Sequence, residues 1–226
     1  MVFVTGDTHF PLDSGKLFAS GPGFDLPKMT REDYVIVLGD FGFFWQKWSS
    51  SGAKYSRDVL DLPYTLLFVD GNHENFDWLE EFPVVERFGG KVQWCRKNIL
   101  HLMRGEIYTI EGKRFFVCGG ATSTDQVYRQ PHVSWWPQEN VTHAEAKHAV
   151  DNLEKNGPID FILTHTCPEY IVPRMFNSDP VWDPTSKFLD IIAERVPEVP
   201  WYFGHWHEDK DRGRFHCLYD RILQIV

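Results

Sequence analysis

The sequence predicts an α/β fold in which helices cover mixed β-sheets. Five short apolar runs each end at a polar group, which is typical of buried strands whose carboxyl ends open into a site. Three shorter runs with glycine-containing turns between them indicate that part of the sheet structure is antiparallel. We expect a single domain over residues 1–226, since this length is sufficient for one sizeable core.

The predicted elements follow the chain in a simple order. Strands are expected at 2–5, 34–38, 64–69, 98–103, 107–110, 114–118, 159–163, 201–203, 215–218 and 222–226, and helices at 53–61, 76–81, 142–156 and 187–195. The clearest helix is 142–156, because Thr142 and Glu145 have capping-box spacing and Gly157 stands just beyond its end. Residues 11–30, 119–138 and 166–184 are predicted loops, and long loops of this kind are often functional.

The polar groups that end the five apolar runs are candidate metal ligands. If these strands point the same way, their ends meet at one rim, where ligand sites form in sheets covered by helices. The set contains too many imidazoles and carboxylates for a packed core and suits a metal site. The candidates are Asp7, His9, Asp40, Asn72, His73, His165, His205 and His207.

Residue spacing suggests how two of these groups are presented. Asp7 and His9 are two residues apart, so in an extended backbone both side chains point to one side. The same alternation around Trp206 would project His205 and His207 to the metal side. The spacing leaves open whether these two histidines bind one ion or two.

The chemistry of individual side chains suggests further roles. Asp40 stands alone at its strand end and is the natural bridge between two ions, because each carboxylate oxygen can hold one metal. Asn72 offers a neutral oxygen ligand. A metal pair that activates water also needs an acid for the leaving oxygen, and His73 is the candidate. Glu74 would hold its imidazole and raise its pKa.

Five motifs, in order, resemble those of the calcineurin-like metallophosphoesterases. They are Gly6-Asp7-Thr8-His9, Gly39-Asp40, Gly71-Asn72-His73-Glu74, Thr164-His165 and Gly204-His205-Trp206-His207. A single Gly-Asp is a weak signal, but five motifs in order, each after a strand-like run, are specific. The resemblance extends from residue 6 to residue 207 and implies a four-layer αββα sandwich, with two mixed β-sheets flanked by helices.

The resemblance also implies a dinuclear centre of divalent metal ions, with manganese preferred and iron or zinc as alternatives. A hydroxide that bridges the metals would attack phosphorus, while His73 contacts the phosphoryl group or protonates the leaving oxygen. The implied ligands are Asp7, His9, Asp40 and His207 for one ion, and Asp40, Asn72, His165 and His205 for the other.

Two departures from the family pattern bear on the substrate. Members often carry Asp or Arg three residues after the second motif Asp, whereas this chain has Phe43. A nearby Arg that helps phosphoprotein phosphatases bind phosphate is also missing. Glu74, by contrast, is typical of that branch. We give the missing Arg more weight, because Glu and Asp can both orient a histidine, and a protein phosphatase is therefore disfavoured.

The leading interpretation is a dimetal phosphoester hydrolase, with a phosphorylated small molecule or nucleotide as substrate. Asn72 and Arg129 are the candidate substrate contacts. Few cations lie near the motifs (Lys47, Arg129 and Arg174), which favours phosphodiesters over the more highly charged monoesters. The alternatives are a phosphomonoesterase or phosphoprotein phosphatase, and a non-catalytic metal-binding interaction module. The last is disfavoured because His73 and all seven implied ligands are present.

Composition and charge argue against several other classes of protein. The net charge of -9 gives no basic nucleic-acid footprint, and aromatic residues at 15% favour a packed globular protein over a disordered one. No run approaches the roughly 18 apolar residues of a membrane span. The four cysteines form no close pair, and Cys118 and Cys217 are expected to be buried thiols, so a cytoplasmic location is predicted.

Overall fold

The computed structural model describes residues 1–19, 21, 23, 25–45 and 53–226, and Lys47 lies outside them. The strands are β1 Val2–Thr5, β2 Tyr34–Leu38, β3 Thr65–Val69, β4 Val84–Arg87, β5 Gly90–Arg96, β6 Ile99–Leu102, β7 Ile107–Ile110, β8 Lys113–Cys118, β9 Phe161–Thr164, β10 Trp201–Phe203, β11 Lys210–Arg212, β12 Phe215–Cys217 and β13 Ile222–Gln224. The α-helices are α1 Ala53–Leu60, α2 Phe76–Leu79, α3 His143–Asn156, α4 Val172–Phe176 and α5 Pro184–Arg195.

Within the described residues, the strands form two mixed sheets. The first has seven strands in the order β13-β1-β2-β3-β6-β5-β4, and the second has six in the order β11-β12-β10-β9-β8-β7. In each sheet four central strands run parallel, and the edges are antiparallel. The prediction of two mixed β-sheets flanked by helices is confirmed.

The two faces of each sheet belong to different cores. In β1, Val2 and Val4 pack in a core shared with Phe115 and Val117 of β8, and this core joins the two sheets. Phe3 points the other way, into a second core that includes α1 and α2. The outer face of the second sheet packs against α3, α4 and α5 in a third core. This alternation, with period two along each strand, produces the four-layer αββα sandwich.

The helix with the clearest sequence signals forms as expected. The Thr142 side chain accepts a hydrogen bond from the Glu145 backbone, and the Glu145 side chain accepts one in return, which completes the capping box. At the other end, Gly157 has φ -59° and its N–H bonds Leu153 O, so the helix ends without the left-handed glycine that the sequence suggested.

Some elements differ from the sequence prediction. The β4–β5 hairpin and β11 were not predicted, and α4 lies in the predicted loop 166–184. The three shorter runs also divide between the sheets: β6 pairs parallel with β3, while β7 and β8 form an antiparallel pair in the second sheet. Among the described residues, no helix combines the length and apolar character needed to cross a membrane.

Candidate metal centre

The carboxyl ends of β1, β2 and β3 meet those of β9 and β10 at one rim of the sandwich. Within the first sheet, the backbone N–H of His9 donates to Asp40 O at 2.8 Å. Between the sheets, His165 Nδ1 lies 2.8 Å from Leu38 O, and His205 N donates to Asp7 Oδ2 at 2.9 Å. The rim therefore gathers the polar ends of strands from both sheets, as the sequence analysis expected.

Four of the candidate ligands form one cluster. One donor atom from each of Asp7, His9, Asp40 and His207 lies within 4.8 Å of the others. His9 Nε2 is 3.3 Å from Asp40 Oδ2, and His207 Nε2 is 3.9 Å from Asp7 Oδ1. Asp7 and Asp40 are buried, whereas His207 reaches the surface. Two carboxylates and two imidazoles at this spacing are suited to a divalent cation.

A second group of donors adjoins this cluster. His165 Nε2 lies 3.0 Å from Asn72 Oδ1 and 3.4 Å from Asp40 Oδ1, and the ring centroids of His165 and His205 are 4.9 Å apart. Leu38 O can only accept, so His165 Nδ1 donates to it and His165 Nε2 is the ring nitrogen that faces Asn72 and Asp40. An imidazole nitrogen, an amide oxygen and a carboxylate oxygen thus lie together, and these atom types fit a bound divalent cation.

Asp40 belongs to both groups. Its Oδ2 faces His9, and its Oδ1 faces His165, so the two oxygens of one carboxylate are directed to different sets of donors. Its Oδ1 also accepts a 2.7 Å hydrogen bond from the backbone N–H of His73. This geometry is compatible with the bridging role that the sequence suggested for Asp40.

The glycines of the motifs leave space for side chains that come from other motifs. A Cβ built on Gly39 would lie 2.0 Å from His165 Nδ1, and one built on Gly71 would lie 2.0 Å from Asp40 Oδ1. Gly39 also has φ +90°, which a side chain would oppose. The motif glycines therefore allow the donor side chains to approach the backbone closely.

The backbone at the rim differs from the extended conformation that the sequence analysis assumed. Both β1 and β10 end before the candidate ligands that follow them. The left-handed region, which is costly for residues other than glycine, is occupied by His9, Asp40, His205 and His207, at φ 34°, 47°, 68° and 49°. The imidazoles of His205 and His207 consequently lie in different donor groups, while Trp206 stacks on Phe176 at 4.3 Å between ring centroids.

Burial and close charges shift the pKa values of these groups. Burial alone lowers the pKa of His9, but the hydrogen bond and the charge of Asp40 outweigh it and raise the pKa to about 9. Burial raises the pKa of Asp40, yet His165 and His9 hold it well below its usual range. Burial, together with the charge of His165, lowers the pKa of His205 to about 3. The site thus favours an anionic Asp40 and a neutral His205.

His73 stands beside the two donor groups, and its ring contacts the loop 119–138. Arg129 Nη1 lies 3.1 Å from His73 Nδ1, and Arg129 Nε donates to Asp125 Oδ1 at 2.6 Å. Burial lowers the pKa of His73, and although Asp40 opposes this shift, Arg129 adds to it. The structure therefore brings Arg129 to the candidate acid, from a distance of 56 residues along the chain.

Glu74 is placed differently from the sequence expectation. Its Oε1 accepts a 2.8 Å hydrogen bond from the backbone N–H of Phe41, so the carboxylate holds the segment after Asp40 instead of the His73 imidazole. Burial, followed by the charge of Asp40, raises the pKa of Glu74 well above its ordinary value. The expected rise in the pKa of His73 is likewise replaced by a fall.

The sequence analysis missed several residues that support the centre. Ser123 and Glu139 are buried behind Asn72. The buried amine of Lys16 donates to Gly6 O at 3.1 Å, to Asp7 O at 3.0 Å and to the Tyr219 carbonyl, and burial lowers its pKa to about 8. No local pattern marks these residues, because their partners lie in other segments of the chain.

A cluster of Asp, His and Asn side chains at the rim of a two-sheet sandwich is the arrangement that the sequence analysis expected for a metal-dependent phosphoesterase. In a comparison with known families, the calcineurin-like phosphoesterase family matches residues 1–209, and the chain therefore belongs to this family. Membership confirms the prediction of a metal-dependent phosphoester hydrolase. Among curated proteins, the lariat debranching enzyme of Schizosaccharomyces pombe is 22% identical over 182 residues. The match covers 69% of this chain and 38% of that enzyme, so the chain spans well under half of this relative.

Proposed function

We propose that the chain hydrolyses phosphodiesters or nucleotides at a two-metal centre that Asp40 bridges. The observation that carries this proposal is the orientation of the Asp40 carboxylate. Its oxygens lie 3.3 Å from His9 Nε2 and 3.4 Å from His165 Nε2, each within a separate group of donors. A carboxylate shared in this way can hold two cations at the spacing that phosphoryl transfer uses, about 3.5–4 Å.

The donors divide into two sets under this proposal. Two divalent cations, with manganese preferred and iron or zinc as alternatives, would lower the pKa of a water nucleophile and neutralise charge on the phosphoryl oxygens. The first ion would be held by Asp7, His9, Asp40 and His207, and the second by Asp40, Asn72, His165 and His205.

His73 and Arg129 are the proposed contacts for the phosphoryl group and the leaving oxygen. Arg129 Nη1 lies 3.1 Å from His73 Nδ1 and Arg129 Nη2 lies 3.5 Å from His73 Nε2, so both side chains face the same space. As the acid, His73 would protonate the leaving oxygen from its imidazolium form. The charge of Arg129 is permanent and favours an anionic substrate beside the ring. A bound anion would also raise the pKa of His73 and so oppose the effects of burial and of Arg129.

The cleft beside the centre supports a substrate with a neutral, flat group. It has a volume of about 390 Å³ and extends from Asn72 and His205 to Val181 and Trp182, whose exposed fractions are 55% and 71%. Among the described residues that line it there is no lysine or arginine. An exposed indole is a platform for stacking a nucleobase or another ring. A phosphodiester or nucleotide that carries such a group therefore fits this cleft.

Hydrolysis of bis-p-nitrophenyl phosphate with added manganese tests this proposal, with p-nitrophenyl phosphate as the monoester comparison. We expect turnover of the diester, and we expect His73→Ala to lose most of it while retaining bound metal. Asp40→Ala should lose both activity and metal. His148→Ala is the matched control, because this histidine lies on α3 and contacts Glu106.

The outcome also separates the alternatives. Preference for p-nitrophenyl phosphate would favour a phosphomonoesterase. Metal binding without turnover of either ester would favour a non-catalytic binding module. Folded protein that shows neither metal binding nor turnover with manganese, iron or zinc would refute the proposal. We also propose a cytoplasmic location, which is supported by the four free, buried cysteine thiols.

A further inference from the structure

We infer that Ser123 and Glu139 fix the orientation of the Asn72 side-chain amide, so that its oxygen and not its nitrogen faces the second proposed ion. Both are positioning residues, since neither belongs to the donor groups. The inference rests on the proposed two-metal function and explains why one of the ligands can be a neutral amide.

The three side chains form a buried chain of hydrogen bonds. Asn72 Nδ2 donates to Ser123 Oγ at 3.0 Å, and Ser123 Oγ donates to Glu139 Oε2 at 2.7 Å. The exposed fractions of Asn72, Ser123 and Glu139 are 4%, 4% and 0%. Water therefore has little access, and the donors and acceptors must be satisfied by one another.

The direction of these hydrogen bonds follows from the number of protons that the three side chains can donate. A carboxylate accepts hydrogen bonds and donates none, so the single hydroxyl proton of Ser123 must point to Glu139. Ser123 Oγ can then only accept from Asn72, which requires the amide nitrogen to face the hydroxyl. The amide oxygen is thereby turned to the other side, where it lies 3.0 Å from His165 Nε2.

Glu139 is itself held firmly. Its Oε1 accepts from the backbone N–H of Ser123 at 2.9 Å and from the Gln126 side chain. The surrounding loop is bound to the sheet by Arg104, whose Nη2 donates to Gln138 O at 2.8 Å and to Asp70 Oδ2 at 2.6 Å. The Glu139 carboxylate is therefore fixed in place, and it orients the Ser123 hydroxyl, which in turn orients the Asn72 amide.

An unfixed amide would bind a cation less well. The two orientations of an Asn side chain have nearly the same shape, but one presents an oxygen lone pair and the other presents two N–H groups to the ion. Changes in outer partners of metal ligands typically cost about 10- to 100-fold in metal affinity. We expect a loss in this range for the second ion when Ser123 is removed, with the affinity for the first ion unchanged.

Titration calorimetry of the whole, metal-free chain with Mn²⁺ tests this inference. Ser123→Ala should weaken binding of the second ion by about 10- to 100-fold. Thr122→Val is the matched control, because it removes a neighbouring hydroxyl that donates to Asn140 Oδ1 at 2.9 Å. This control should retain wild-type affinity for both ions. Thermal melting of each metal-free variant shows whether it is folded.

Glu139→Gln tests the direction of the hydrogen bonds from Asn72 through Ser123 to residue 139, because Gln and Glu side chains have almost the same shape. The side-chain oxygen of the introduced Gln would accept the hydrogen bonds from Ser123 N–H and the Gln126 amide. The side-chain nitrogen of the introduced Gln would therefore donate to Ser123 Oγ. The hydroxyl would then donate to Asn72 and favour the reversed amide. We expect weakened binding of the second ion, although none of its proposed metal ligands has been altered.

A double variant separates this effect from the simple loss of a negative charge. If Glu139 acts through Ser123, Glu139→Gln will have little further effect in the Ser123→Ala background, whereas a direct charge effect would be additive. Wild-type affinity in folded Ser123→Ala or Glu139→Gln, or additive losses in the double variant, would overturn the inference and leave the proposed function intact. Fewer than two ions bound by the wild-type chain, with Mn²⁺ and equally with Fe²⁺ and Zn²⁺, would instead refute the two-metal proposal itself, and the inference with it.

Discussion

Substitution of Gly71 by Ala is expected to displace Asp40 from the candidate centre. The added Cβ would lie 2.0 Å from Asp40 Oδ1 and 2.3 Å from Asp40 N, while ordinary contacts begin at 3.4 Å. The contact with Asp40 N involves backbone, so rotation of the Asp40 side chain alone cannot relieve it. One of the two segments must therefore move by about 1 Å, whereas metal–ligand distances vary by only about 0.2 Å.

This displacement affects both proposed ions, because Asp40 is common to the two donor groups. We expect metal affinity to fall by more than the roughly 100-fold associated with outer partners, which is more than about 2.7 kcal/mol. The cost in folding stability should be about 1–3 kcal/mol, as for other overpacked sites. Elemental analysis of the bound metal and thermal melting measure the two effects separately.

Gly112→Ala provides the control for this experiment. Gly112 has φ +72°, and a Cβ there would meet no atom within 4 Å. We expect it to cost about 1–2 kcal/mol through its left-handed backbone and to leave metal binding unchanged. Bound metal in Gly71→Ala that equals the wild-type content would refute the argument that Gly71 makes room for Asp40.

Three further substitutions test other parts of the structure. Trp182→Ala should raise KM for bis-p-nitrophenyl phosphate while leaving kcat nearly unchanged, because stacking contributes about 1–3 kcal/mol per ring. Arg104→Met should lower the free energy of unfolding by about 3–5 kcal/mol in urea denaturation, since it removes the guanidinium that pairs with the buried Asp70 carboxylate and leaves Asp70 with His101. Hydrogen bonds from Arg221 lower the pKa of Asp211 to about 2. This partly exposed pair should therefore add less than about 1 kcal/mol at neutral pH, and that contribution should fade as the pH falls from about 4 to about 2. Asp211→Asn should remove this contribution to stability. In chemical denaturation the wild type should therefore be more stable than the variant at about pH 4, and this difference should be lost at about pH 2.

Each of these experiments has a control or a contradicting result. Tyr128→Ala removes a 90% exposed aromatic ring that does not line the cleft, so an equal rise in KM would refute the role of Trp182. Arg195→Met is the surface comparison for Arg104→Met, and similar losses of stability would argue against the buried pair. A difference between wild type and Asp211→Asn that grew on acidification would contradict the sign of the pKa shift.

The rim was predictable from sequence because its signals are local. Asp7, Asp40 and Asn72 each stand within three residues of the end of an apolar strand, so the strand pattern alone locates them. The glycines between strand and donor also have a local physical reason, since a side chain at Gly39 or Gly71 would collide with a donor from another strand.

The connections behind the rim could not be predicted in the same way. Ser123 and Asn72 are 51 residues apart, and Arg129 and His73 are 56 apart, in segments without a regular period. The β4–β5 hairpin was missed because β4 is almost entirely exposed and has no apolar run, although the Gly89-Gly90 pair was an available turn signal.

The left-handed backbone of His9, Asp40, His205 and His207 limits which replacements these positions tolerate. In a library of single substitutions, Gly and Asn should preserve the local conformation at these positions, whereas β-branched residues should also impair folding. An inactive descendant of this chain that kept its architecture would accordingly be expected to carry Gly or Asn at these four positions, and not Val or Ile.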